Sequence, residues 1–141
     1  MKKYIGTNVI IAEPKEKDGK AGYKVQYEDG HISWIPKYVF ERAYRVFDGC
    51  MNFGNAIEML GMGFKVARKG WNNGMFVVYQ KGYPHGIPCN KQTAEAWGMD
   101  EGDLFRCNPY LQIREENGTH SMYSPSNLDL VSVDWYVVET K

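Results

Sequence analysis

The chain has 141 residues, and its 17 Lys+Arg are balanced by 17 Asp+Glu. That length fits one domain, or one domain with a small appendage, and can bury a core without disulfides or metals. The balanced charge argues against a nucleic-acid coat protein and a polybasic membrane binder, no apolar run is long enough for a transmembrane helix, and 14% aromatic residues argue against disorder.

From the N-terminus, Met1-Lys2-Lys3 leads into too short an apolar stretch for a signal peptide. Thr7–Glu13 is apolar and β-branched and predicts a strand. Residues 15–22 read as an exposed loop. Tyr23-Lys24-Val25-Gln26-Tyr27 alternates with period two, and Ile32-Ser33-Trp34 resumes after Glu28-Asp29-Gly30-His31, a hairpin signal. Pro36 suits the first turn of a helix, with Val39, Phe40 and Tyr44 as its apolar face. Residues 1–48 therefore read as a three-stranded meander closed by a short helix. A unit this small is marginal alone and is expected to pack on something.

The sequence divides near Asp48-Gly49-Cys50, and residues 51–141 form the second expected unit. Asn52 is placed to cap a helix in which Phe53, Ala56, Ile57 and Leu60 recur at helical spacing, with Gly61 and Gly63 ending it. Phe64–Ala67 predicts a strand, Gly70–Gly74 a tight loop and Met75–Gln80 another strand. Gly82–Pro88 reads as a Pro/Gly loop. Asn90 caps a helix through Trp97 that Gly98 terminates. Pro109–Arg114 and Thr119–Tyr123 flank Asn117-Gly118, the strongest hairpin signal in the chain. Ser126 and Asp129 cap a helical turn, and Trp135–Glu139 is a last strand. Strands and short helices mixed without βαβ alternation predict an α+β fold, a small antiparallel sheet with short helices.

The common catalytic signatures are absent: no HExxH, GxSxG, P-loop or GxGxxG. His85 and Cys89 lack a second pair with zinc spacing, so no metal site is expected. The three Cys, odd in number and widely spaced, read as free thiols in a reducing cytoplasm. A Cys–His nucleophile pair stays open, because such partners meet in space. The informative stretch is Val66 to Met75. A strand ends in Arg68 and Lys69, Gly70 frees the backbone, and Trp71 precedes Asn72-Asn73-Gly74. Trp71 offers a ring face to a flat ligand, Arg68 or Lys69 could meet phosphate, and Asn72 could bond ribose or base edges. Alternatively Trp71 caps the edge of the core and the two cations are solvated. In Tyr123-Ser124-Pro125-Ser126-Asn127-Leu128-Asp129 an aromatic leads into a polar turn. Trp135 alternates with Val137 and reads as core. Two other readings stay open: an interaction module anchored by Trp34, and a single-stranded nucleic-acid binder, for which no basic groove is evident.

Four segments carry a family resemblance: MNFGNAIEML (51–60), KVARKGWNNGMF (65–76), NPYLQI (108–113) and SPSNLDLVSVDWYVVE (124–139). Through them residues 51–141 resemble the phage Thoeris anti-defence 2 family. The resemblance implies a non-enzymatic sponge without cofactor or metal. Such a protein sequesters glycocyclic ADP-ribose, a cyclic ADP-ribose-type nucleotide made by Thoeris defence, in the cytoplasm of the infected or lysogenic host. Some relatives also hold cyclic oligonucleotides at a second site. Members assemble as homotetramers with ligand pockets at subunit interfaces, and neither nucleic acid nor membrane is implied as a partner. Carried over by motif, Trp71 is the principal stacking residue, with Arg68, Gly70 and Asn72 beside it. Tyr123 stands where many members have Trp and offers a smaller π-face. Ser126, Asn127 and Asp129 match the family's polar turn, while the Gly82–Pro88 loop is longer than the resemblance leads one to expect. Residues 1–48 are similar to a small module found in front of other phage proteins, with no activity implied.

Overall fold

A computed structural model describes residues 1–139. The N-terminal meander is β1 (Ile11–Pro14), β2 (Gly22–Gln26) and β3 (Ile32–Pro36), hydrogen-bonded in that order and antiparallel throughout. β1 starts later than Thr7–Glu13 predicts. Its register pairs Ile11 with Gln26, the end of β2, so Thr7–Ile10 have no strand beside them. Val9 instead packs against the core of the second half of the chain. Pro36 lies just before the helix rather than in its first turn, because it still pairs with Gly22 at the end of β3. Helix α1 (Lys37–Ala43) follows and packs mainly on β2 and β3. Phe40 lies between Tyr23 and Tyr44, with ring centroids 4.0 and 5.0 Å away. Val39, expected on the same apolar face, points to solvent.

The second half holds β4 (Asp48–Met51), α2 (Phe53–Gly61), β5 (Lys65–Arg68), β6 (Phe76–Gln80), β7 (Tyr83–Pro88), α3 (Lys91–Trp97), β8 (Leu104–Cys107), β9 (Tyr110–Arg114), β10 (His120–Met122), α4 (Asn127–Val131) and β11 (Trp135–Val138). Six strands form one antiparallel sheet in the order β10-β9-β6-β5-β11-β4. The architecture is α+β, as the mixed pattern predicts. Asn52 caps α2 through a reciprocal box with Asn55, and Asn90 caps α3, which Gly98 ends in the left-handed region at φ 69°.

α2 lies on one face of the sheet. Met51, Ala56, Met59, Leu60, Val66, Val77, Ile113 and Trp135 form the buried cluster there. Ile57, counted above as part of the apolar stripe, is one position off it and exposed. Trp135 is fully buried, as its alternation with Val137 predicts.

Three strands, β4, β7 and β8, escape the sequence pattern. β7 runs through the Gly82–Pro88 segment read above as a loop, and it pairs with β8 as a separate two-stranded ribbon. The register shifts between Tyr83 and Ile87, and that irregularity accommodates Pro84 and Gly86. A Cβ at Gly82 would run into the main chain of Cys107 and Asn108, so close approach of the backbones sets the glycine there. β4 is also unmarked by local pattern, since its pairing with β11 is supplied from the far end of the chain.

Candidate functional site

Trp71 is launched by two successive turns. The Trp71 N–H donates to the Arg68 carbonyl at 3.2 Å across Gly70, whose φ of 89° favours glycine. The Met75 N–H then donates to the Asn72 carbonyl at 3.1 Å, with Gly74 at φ 87°. The indole is half-buried against the core cluster. Its centroid lies 5.4 Å from that of Trp135 and 6.1 Å from that of Tyr123, at interplanar angles of 74° and 72°. Neither neighbour lies parallel to it. The two readings of Trp71 thus merge: it closes one end of the core, and the rings that brace it meet it steeply.

β5 and β11 pair with Arg68 opposite Trp135, which brings Asp134 to the guanidinium. Arg68 donates from Nε to Asp134 Oδ1 at 2.9 Å, from Nη2 to Asp134 Oδ2 at 3.2 Å, and from Nη1 to Asp129 Oδ1 at 3.0 Å. The structure therefore commits this side chain to two carboxylates instead of leaving it open to solvent. One cation against two anions gives the group a net charge of −1. The bonds to Asp134 raise the Arg68 pKa above its ordinary value, against burial, with Asp129 adding to the rise.

Asp129 is 9% exposed and is the hub of this site. Its Oδ2 accepts from the Tyr123 hydroxyl at 2.8 Å and from the Ser126 N–H at 3.1 Å, while Ser126 Oγ accepts from the Asp129 N–H at 3.0 Å. The Asp129 main-chain oxygen accepts from Trp135 Nε1 at 3.0 Å. Burial pushes the Asp129 carboxyl up, but the bonds from Tyr123, Ser126 and Arg68 outweigh it and hold its pKa below the usual carboxylate value. Burial first, and then the Asp129 carboxylate, push the Tyr123 phenol well above its ordinary pKa.

The structure thus joins Arg68, Tyr123, Ser126 and Asp129 in one network and sets Trp71 against it. Asn72 is turned elsewhere: it is exposed, and its Nδ2 donates to Glu116 Oε2 in the β9–β10 turn at 2.7 Å. Asn127 opens α4 and is exposed, and among the described residues its side chain joins none of these bonds. Three participants went unassigned in the sequence. Asp134 holds Arg68, Trp135 adds an indole N–H to its core role, and Arg114 braces the Trp71 turn by donating to the Gly74 carbonyl at 2.8 Å. The adjacent Asp134-Trp135 pair was the available signal. Only the strand register turns it into a contact with Arg68.

Among the described residues no group of three or more His, Cys, Asp or Glu is placed to hold a metal ion, and no helix is long and apolar enough to cross a membrane. Cys50, Cys89 and Cys107 are free thiols. A comparison with curated proteins gave no match. The family described as the Thoeris anti-defense 2-like domain matches residues 51–138, from the last residue of β4 through β11, and with them the whole Trp71–Asp129 network. The chain belongs to the Thoeris anti-defense 2-like family, and its role is anti-defence against Thoeris.

Proposed function

We propose that the protein is a sponge: it binds a cyclic ADP-ribose-type nucleotide, glycocyclic ADP-ribose, and withholds it from the Thoeris effector without cleaving it. The observation that carries this reading is the steeply braced, half-buried Trp71 in its double glycine turn. Base stacking on such a ring contributes about 1–3 kcal/mol per base. Tyr123 supplies a second ring, held in place by Asp129. In this reading Arg68 acts mainly by fixing the Trp71 turn and the Asp129 hub. The exposed Ser126 and Asn127 offer polar contacts at the rim. Sub-micromolar capture needs more than about 8 kcal/mol, so charge-assisted contacts and a preformed pocket have to supply what stacking does not.

The pocket is completed between subunits in this reading, and the chain works as a cytoplasmic homotetramer. α4 supports this. It buries only Asp129 and turns Leu128, Leu130 and Val131 outward, 64, 47 and 65% exposed, the reverse of a solvent-facing helix. A second site for cyclic oligonucleotides belongs to the same reading.

The test is to express the protein beside an active Thoeris synthase, purify it, denature it by heat and identify the released nucleotide. Intact cyclic nucleotide is expected from the wild type and little or none from Trp71→Ala. Recovery of only cleaved product would replace the sponge by a nucleotide-processing enzyme. No nucleotide, together with no calorimetric heat from any cyclic ADP-ribose isomer, would leave an interaction module.

A further inference from the structure

A cleft lies wholly outside the family-matched region. Every residue lining it falls between Asn8 and Cys50, and its volume is about 690 Å³. Its origin is local. Ala12 and Pro14 are alternate positions of β1 and share one face of the strand, and they line the cleft together with Asn8, Val9 and Ile10 of the segment leading into β1. Ala12 and Pro14 stand opposite Val25 and Tyr23 of β2, on the side that faces α1. The helix has only seven residues and sits mainly on β2 and β3. The strip over β1 is left open, and Phe40, Tyr44, Val46 and Phe47 complete its lining.

The wall has two charged groups, and they differ. Glu41 already accepts the Tyr23 hydroxyl at 2.9 Å. Arg45 is pinned by donating from Nη1 to the Glu41 and Tyr44 carbonyls at the end of α1. Among the described residues no carboxylate comes within ion-pair distance of it. Beside the hydrogen-bonded Glu41, the cleft therefore combines an aromatic wall, an apolar floor and one oriented cation that pairs with no carboxylate among the described residues. Its volume falls within the range of about 300–1,000 Å³ typical of small-molecule sites.

We infer that this cleft is a binding site for one flat aromatic anion, its ring against Tyr44 and Phe47 and its negative group on the guanidinium of Arg45. The inference is independent of the Trp71 site, which no residue of the cleft touches in sequence or in the bonding network.

The test titrates the full chain with anilinonaphthalene sulfonate and with phenylnaphthylamine, its uncharged counterpart, and follows amide chemical shifts by NMR. The sulfonate is expected to shift residues 8–50, to saturate at one equivalent and to bind about tenfold more tightly than the uncharged probe, the size of one charge-assisted hydrogen bond. Arg45→Gln is expected to abolish that preference while the uncharged probe binds as before. Ala12→Leu fills the floor and is expected to exclude both probes, and circular dichroism checks that each variant folds. Equal affinity for the two probes, a preference that survives Arg45→Gln, or shifts confined to residues 51–138 would each overturn the inference. A second copy of the chain seated in the cleft would do so too, seen in sedimentation as an assembly that Ala12→Leu breaks.

Discussion

Trp71 and Trp135 stand 5.4 Å apart and are expected to answer to truncation differently. Trp135 is fully buried and donates to the Asp129 main chain, so Trp135→Ala removes a large core side chain and should cost about 3–5 kcal/mol of stability. Trp71→Ala should cost about 1–3 kcal/mol in nucleotide binding. It should also lower the melting temperature to a lesser degree, because the half-buried ring packs on the core cluster. Trp71→Phe separates the two effects: it keeps much of the packing and loses part of the stacking area. Calorimetry with the cyclic nucleotide, beside thermal unfolding, reads both. Asp129 gives a prediction with a definite sign in pH. Its folded pKa is held below the ordinary value of 3.8, so its contribution is present above that value and is lost as pH falls further. Tyr123 works in the other direction. Its folded pKa is raised above 10.0, so its contribution is present below pH 10.0 and declines as pH rises beyond it. Asp129→Asn should therefore be less stable than wild type near neutral pH and approach it below about pH 4. A stability gap that stays constant down to pH 2 would show that the carboxylate's charge is not what holds the network.

Helix caps were legible because their chemistry is local. Asn52 finds Asn55, Asn90 finds the Thr93 N–H, and Ser126 finds Asp129, all within three residues. Asn52→Ala should accordingly cost about 1 kcal/mol, visible as a shift in the unfolding midpoint without change in slope. The hairpin at Asn117-Gly118 was legible for the same reason: the Gly118 N–H donates to the Glu115 carbonyl at 2.9 Å, and Gly118 adopts φ 86°. β7 was not legible, because Pro84, Gly86 and Pro88 imitate a loop and its partner β8 lies beyond α3. The site was legible in half. The glycine turn identifies where Trp71 stands, but whether Arg68 is free or paired depends on Asp129 and Asp134, more than 60 positions away. The meander shows how one small residue can set a register. A Cβ at Gly22 would collide with the Trp34 ring and the Ile35 carbonyl across β2 and β3. Gly22→Ala should therefore loosen residues 1–48, with faster amide exchange in β2 and β3, while β5 and β6 keep their protection.

The proposed assembly turns on the outward face of α4. Leu128, Leu130, Val131 and Val133 lie exposed beside a site whose Asp129 is turned inward to Tyr123. An apolar surface of this kind is what an association face presents before its partner arrives. The α4 surface adjoins Tyr123 and Ser126 through the capping turn, so covering it with another subunit would also wall the Trp71 site. The double change Leu130→Asp and Val131→Asp tests this directly. Both residues are exposed, so the fold of the isolated chain should change by no more than about 0.5 kcal/mol per substitution. Four or more carboxylates facing one another across an apolar contact should prevent association. Light scattering on the eluting protein is expected to show a tetramer for the wild type and a smaller species for the double variant. Nucleotide capture should fall with it, although no stacking residue has been touched. If the variant dissociates yet binds the nucleotide unchanged, the pocket is complete within one chain. If the wild type is itself monomeric and binds, the apolar face of α4 has some other partner, and the sponge works one molecule at a time.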